Sequence, residues 1–226
     1  MRQEVKVITL KFLGGLASVN CYLVKIDESY VLIDTGPANK RSDLVKELEK
    51  ADCAPGDLKL ILITHGDSDH VGNALYLREK YVTKIAMHDG DSGMVEHGNM
   101  SFNRKTNIIT RIIFSMPFIR LNESNWFNPD IYVEDGQDLS GYGFDARVIY
   151  IPGHSKGSIG ILTVDGDLFC GDLLTNTNKP VLNSIMDDKA AANLSVETLK
   201  GLNINNVYPG HGKPFLMDTF LKNEPH

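Results

Sequence analysis

Cysteine is scarce in this 226-residue chain: Cys21, Cys53 and Cys170 stand far apart, with no C-x-x-C spacing. That excludes a disulfide framework and a cysteine-rich zinc site, and leaves the three as small buried hydrophobes. Basic residues are not in excess either, 23 Lys and Arg facing 29 Asp and Glu for a formal net charge of −6. Without a dense Lys/Arg stripe, no nucleic-acid partner is expected. Long apolar runs are missing too: "LKLILIT" and "IIFSMPFIRL" are far too short to span a bilayer as helices, so no membrane partner is expected. The opening "MRQEVKVITLKFLGG" alternates charged and apolar residues where an export signal would show a basic start and an apolar core, and the expectation is a cytoplasmic protein. Neither a linker rich in Pro, Gly or Ser nor an alignable repeat interrupts the chain, which reads as one domain over 1–226. At 42% hydrophobic and 23% charged, it can bury a sizeable core.

What is present is alternation of short strands and helices. "EVKVITLKFL", "NCYLVKI" and "YVLIDTG" read as an antiparallel sheet broken by glycines. "RSDLVKELEKAD" puts Leu44, Val45 and Leu48 on one helical stripe, "GDLKLILITH" returns as a buried strand, and "HVGNALYLREKY" reads as a helix before the strand "TKIAMH". The second half supplies "ARVIYIPGH", "GSIGILTV" and "DLFCGDLL" as strands, "DGD" at 165–167 as a type I′ hairpin signal, a helix near Ala190 to Leu202 and a strand at "NNVYPG". Two halves of this kind predict an α+β fold, a four-layer αββα sandwich. The segment at about 98–129 resists the scheme. Its stripe of Ile108, Ile109, Ile112, Ile113 and Met116, followed by Phe118, Trp126 and Phe127, suits a core helix, a cap over a pocket or a subunit contact that would make a homodimer.

The chemistry concentrates in "ITHGDSDHVGN", residues 63–73, with two histidines and two aspartates in six positions. In an extended loop, His65, Asp67 and Asp69 project to one side, and His70 can turn inward at the start of the next helix. Such nitrogen and oxygen donors suit divalent metals and could begin a two-metal site. Alternatively, Asp69 caps the helix and the histidines are solvated. Further on, "IPGHSKGS" presents His154, "FCGDLL" Asp172 and "YPGHGKP" His211, each where a strand gives way to a loop. His88, His97 and His226 belong to no such motif and are taken as structural.

The ordered set "VLIDTG", "THGDSDH", "PGHSKGS", "GDLL" and "PGHG" closely resembles the metallo-β-lactamase-fold superfamily, over nearly the whole chain. The resemblance implies the αββα sandwich, with metals at the edge of the two sheets. It assigns His65 and His154 to a first metal, Asp69, His70 and His211 to a second, Asp172 to the bridge, and Asp34 to a supporting role without metal contact. Asp67 falls where that signature has histidine, and as a carboxylate donor it is expected at the first metal. Two divalent ions and three carboxylates sum formally to +1, and a bridging hydroxide takes this to zero. Asp67 is therefore expected to weaken Lewis acidity and to favour harder ions at the first site.

The implied function is a binuclear metallohydrolase that uses a metal-bound hydroxide on a small ester, thioester or lactone, with Asp69 orienting the nucleophile and accepting its proton. Zinc is the first expectation for the two ions, with manganese or iron as alternatives. Two other functions stay open: a non-haem diiron redox protein resembling the flavodiiron metal domain, where glutamate holds the position of Asp67, and a non-catalytic metal-binding protein. The resemblance also implies that glyoxalase-type thioesterases append a helical region after the last histidine, which "KPFLMDTFLKNEPH" is too short to supply, so that branch is not expected. Phe118 and Trp126 are candidate pocket residues, whose truncation should raise KM.

Overall fold

The computed structural model describes residues 3–104 and 120–223. The chain runs from β1 (Glu4–Phe12) back antiparallel through β2 (Ala17–Ile26) and β3 (Ser29–Ile33), then crosses by α1 (Arg41–Glu49) to β4 (Leu58–Leu62), parallel to β3. Helices α2 (Ser68–Val71) and α3 (Ala74–Tyr81) lead to β5 (Ile85–Met87), then come α4 (Asp89–Glu96) and β6 (Ile131–Tyr132), completing a sheet ordered β1-β2-β3-β4-β5-β6. The second sheet begins with β7 (Ala146–Tyr150), β8 (Ile159–Thr163) and β9 (Asp167–Gly171), and a small ribbon of β10 (Leu174–Thr175) and β11 (Val181–Leu182) follows. After α5 (Lys189–Lys200), β12 (Asn206–Pro209) pairs parallel with β9 and β13 (Phe215–Leu216) closes the order β13-β12-β9-β8-β7, with α6 (Met217–Asn223) last.

The period-2 alternation of each strand decides the layering. Tyr22, Val24, Val31, Ile33, Leu60 and Leu62 point from the first sheet into a cluster shared with Val148, Ile159, Ile161 and Phe169 of the second. Their neighbours Cys21, Leu23, Leu32 and Ile61 point the other way, onto Leu44, Val45 and Leu48 of α1 and Leu77 of α3. On the far face of the second sheet, Leu162, Leu168 and Cys170 pack on Ala192, Val196 and Leu199 of α5. This is the expected αββα sandwich. All three cysteines are buried and free, and among the described residues no helix is long and apolar enough to cross a membrane.

Three local expectations are corrected. The turn before β9 is not type I′. The amide of Gly166 donates to the Thr163 carbonyl at 3.0 Å, and within 164–166 only Gly166 has positive φ, +83°, which makes a three-residue loop ending in a left-handed glycine. The helix expected after His70 breaks at Gly72 and Asn73, because the Asn73 amide donates to the carbonyls of Thr35 (2.7 Å) and Pro37 (3.0 Å) and docks that turn on the loop after β3. Helix α4 is unanticipated: Gly90 and Gly93 weaken its propensity, yet both are close approaches, to the backbone of Gly157 and the ring of Phe102. Of the 98–129 segment, residues 105–119, including the isoleucine stripe, Met116 and Phe118, lie outside the described residues.

Parallel pairing sets the location of the site. β3 runs alongside β4, and β9 alongside β12, so each pair releases its following loop at a common edge. Those loops carry Asp34, His65, Asp172 and His211. Across the sandwich, Asn20 on β2 donates to the carbonyls of Pro209 (3.0 Å) and Gly212 (2.7 Å), and the Tyr22 hydroxyl to that of Pro209 (2.5 Å). The loop after β12 is thereby fixed to the first sheet.

Candidate metal centre

Four imidazoles converge at this edge, and each is oriented through Nδ1. His70 Nδ1–H donates to Asp34 Oδ2 at 2.8 Å. His154 donates to the Ile185 carbonyl at 2.8 Å and His211 to the Ser18 carbonyl at 2.5 Å. Nδ1 of His65 lies 3.0 Å from the Thr64 hydroxyl, which itself donates to Asp34 Oδ2 at 2.7 Å. A carbonyl or carboxylate partner selects the Nδ1–H tautomer and leaves Nε2 as the available lone pair. Asp34 thus aligns His65 through Thr64 and His70 directly. It does so from a left-handed backbone position, φ +59°, held also by the Thr64 amide donating to Oδ1 at 2.9 Å.

The donors form two trios, His65 with His154 and Asp172, and Asp69 with His70 and His211, each with its ligand atoms within 4.8 Å of one another. Asp172 reaches into both: its Oδ1 lies 3.4 Å from Nε2 of His70, and its Oδ2 lies 3.2 Å from Nε2 of His211 and 4.0 Å from that of His154. Asp69 Oδ2 is 3.5 Å from Nε2 of His211 and 4.0 Å from that of His70.

A divalent ion fits these residues. Nε2 of His65, Nε2 of His70 and Oδ1 of Asp172 are buried with no hydrogen-bond partner, an arrangement that is costly unless something else satisfies them. The cradle is also kept open: a Cβ on Gly210 would collide with Asp172 Oδ1 and come within 2.7 Å of His70 Cε1.

The protonation pattern of the metal-free centre follows from its charges. Burial pulls the His70 pKa down, but Asp34, Asp172 and Asp69 outweigh it and hold the group at about 10. His211 is likewise raised to about 9 by Asp172 and Asp69 against burial. Burial lowers His65 well below the ordinary range, with His70 and His154 adding repulsion. Burial opposes ionisation of Asp172, yet His211 and His70 hold it well below the usual carboxylate range, whereas burial raises Asp69.

A pH prediction follows. Folded values raised above the ordinary 6.5 mean that His70 and His211 stabilise the metal-free fold fully below about pH 6.5, and that this is lost as pH rises through about 9 and 10. Metal must displace those protons, so its affinity rises over the same window. The Tm gap between metal-loaded and metal-free protein should widen from pH 6.5 to 9. A constant gap would contradict this protonation pattern.

Asp34 carries a second prediction. Asp34→Asn keeps the shape but weakens the alignment of one histidine from each trio, and metal affinity should fall about 10–100-fold at both sites. Competition with a chromophoric chelator measures it, and loss at one site alone would break the argument.

Of the residues expected at the site, the structure brings together His65, Asp69, His70, His154, Asp172 and His211, with Asp34 behind them. Asp67 is adjacent but differently engaged. Its Oδ2 lies 2.9 Å from Nε2 of His154 and 3.6 Å from that of His65, while Arg104 Nη1 reaches its Oδ1 at 2.5 Å. A guanidinium sits against Asp67, a neighbour the sequence did not show. Trp126 packs against the first core cluster, and its indole N–H donates to the Leu121 carbonyl at 2.9 Å. His88 caps α4 by accepting from the Gly90 amide at 3.0 Å. His97 packs at a tilt against Phe102, and His226 lies outside the described residues.

Sequence reasoning also missed Asp91. Buried on α4, its carboxylate accepts from the amides of Gly66 (2.9 Å) and Gly157 (2.7 Å) and from the Ser155 hydroxyl (2.5 Å). It thereby joins the loops that carry His65 and His154.

Comparison with known proteins bears on this geometry. The profile of the metallo-beta-lactamase superfamily matches residues 14–211. Hydroxyacylglutathione hydrolase GloC of Haemophilus influenzae is 31% identical over 158 residues, 69% of this chain and 66% of that protein, so the chain spans just under two thirds of that relative. The probable polyketide biosynthesis zinc-dependent hydrolase BaeB of Bacillus velezensis is 26% identical, over 99% of this chain and 88% of its own. Among solved structures, TTHA1623 in a di-iron-bound form superposes with a TM-score of 0.74 at 25% identity, covering 97% of this chain and 98% of that one.

Proposed function

Since the chain belongs to the metallo-beta-lactamase superfamily, we propose that it is a binuclear metallohydrolase acting on a small ester, thioester or lactone. The observation that carries this reading is the pair of donor trios sharing Asp172, with unpartnered Nε2 atoms turned into one cradle. His65, His154 and Asp172 would hold one divalent ion, and Asp69, His70 and His211 the other, with Asp172 common to both. When bound, such ions supply Lewis acidity and make water nucleophilic near neutral pH.

The chain's own groups supply position and proton transfer. The Nδ1 bonds hold all four rings before any ligand arrives, so little reorganisation is left to the reaction. Asp69 is the more accessible of the two carboxylates in the trios, 26% exposed against 7% for Asp172, and burial raises its pKa. It is placed to orient an attacking water and to take its proton. Thioesters move to the front of the substrate classes. The sequence expectation already included thioesters and discounted only the glyoxalase type, and a hydroxyacylglutathione hydrolase is among the relatives.

The test is hydrolysis of a glutathione thioester, an aryl ester, a lactone and a phosphoester by the zinc-loaded, manganese-loaded and iron-loaded full chain. Turnover that a chelator abolishes supports the proposal. A loaded protein inert on the whole panel would return it to a non-catalytic metal-binding role. The di-iron form of TTHA1623 favours one second reading, a diiron redox protein. Two irons with a visible spectrum that bleaches on reduction, together with an inert hydrolytic panel, would establish it.

A further inference from the structure

Arg104 has no part in the chemistry proposed so far, yet its side chain is only 1% exposed. A buried guanidinium is strongly unfavourable unless paired. Asp67 and Asp187, two of its ionic partners, lie next to the first trio. Nη1 and Nη2 reach Oδ1 and Oδ2 of Asp67 at 2.5 and 3.3 Å, and Nε reaches Asp187 Oδ2 at 2.7 Å. Nη2 also donates to the His154 carbonyl at 3.3 Å and Nη1 to that of Met100 at 3.4 Å. Arg104 therefore spans from the loop of Asp67 to the loop of His154.

The carboxylate of Asp67 is divided by this arrangement. Oδ1 is held close to the cation and Oδ2 meets it at the longer 3.3 Å, while Oδ2 also faces Nε2 of His154 at 2.9 Å and Nε2 of His65 at 3.6 Å. A planar fork fixes the plane of the carboxylate it grips, which a point charge does not.

We propose that Arg104 is a positioning residue for the metal at His65 and His154. It holds the carboxylate of Asp67 in the plane that turns Oδ2 toward the two imidazoles as a further donor, and it offsets the charge which that carboxylate adds. A site with aspartate at 67 and Arg104 beside it then carries the same formal charge as one with a neutral imidazole there. This inference rests on the metal-dependent reading of the site.

Rescue by a different donor at 67 separates the proposal from a purely structural role, in which Arg104 merely fastens its segment to Asp187. Full-length protein stripped of metal would be titrated with zinc against a chromophoric chelator, and cobalt-loaded samples followed by their visible spectra. In Arg104→Met, one of the two affinities should fall about 10–100-fold while the other holds. Adding Asp67→His to Arg104→Met should recover the lost affinity, because an imidazole donor does not depend on the guanidinium fork for its orientation, whereas a structural fastener would not be replaced by it. Unchanged affinities in Arg104→Met, equal weakening of both sites, or no recovery in the double variant would each overturn the proposal. Should Arg104→Met fail to fold, Arg104→Lys keeps the cation and loses the fork. It should retain two metals with an altered cobalt spectrum, and an unaltered one would overturn the proposal. Wild-type protein that binds fewer than two metals would defeat the metal-dependent reading as well, which distinguishes that failure from this one.

Discussion

Replacing Asp172 by alanine should lower turnover by about 10³–10⁴-fold, the loss expected when several kcal/mol of Lewis-acid stabilisation disappear at 1.36 kcal/mol per decade. Among the described residues, no other carboxylate reaches both trios. Its two oxygens lie 3.2–4.0 Å from the Nε2 atoms of His70, His211 and His154, so its removal leaves the first trio with His65 and His154 alone and takes from Asp69, His70 and His211 the carboxylate they share with it. The fold should survive, because the three apolar clusters that hold the layers together do not include it. Asp172→Asn separates the causes: it keeps the shape and one neutral oxygen, and should recover little if anionic bridging is what matters. Circular dichroism and metal content read alongside the rates decide the case. A variant that still bound two metals and turned over at near wild-type rate would show that the trios are independent of Asp172.

Asp69→Ala should cost about 10²–10⁴-fold in kcat, the range for loss of a general base, and excess metal should not restore it. Asp69 combines two roles that the experiment can separate. As a ligand it stands 3.5 Å from Nε2 of His211, and its loss lowers affinity in a way that saturating metal overcomes. In the proposed mechanism the more exposed carboxylate, with its pKa raised by burial, would also serve the proton transfer, which added metal would not replace. Full recovery of kcat at saturating metal would confine Asp69 to the ligand role. His154→Ala is the comparison: it removes a donor of the other trio and should lose turnover with its Tm little changed.

Much of this site was legible because its residues lie at strand ends. Short apolar runs ending in "DTG", "THGDSDH", "GDLL" and "PGHG" placed each donor where a rigid element stops, and parallel pairing brought those ends to one edge. What could not be read were the partners joined only by the fold. Arg104 meets Asp67 across 37 residues of sequence, and Asp91 meets Gly157 across 66, with no local pattern linking either pair. Helix α4 escaped for a related reason. Its glycines weaken it locally but permit close contact with Gly157 and Phe102, so tertiary packing, absent from any window of sequence, overrides propensity. The interruption between α2 and α3 is similar, since the Asn73 side chain bonds a loop more than thirty residues earlier.

The central claim is that two trios sharing one aspartate hold two metal ions. Elemental mass spectrometry on chelator-stripped protein after dialysis against zinc tests it most directly, with His154→Ala and His211→Ala prepared in parallel. The account predicts two zinc ions per wild-type chain and about one in each variant. One ion or none in the wild type, or two retained in both variants, would contradict it.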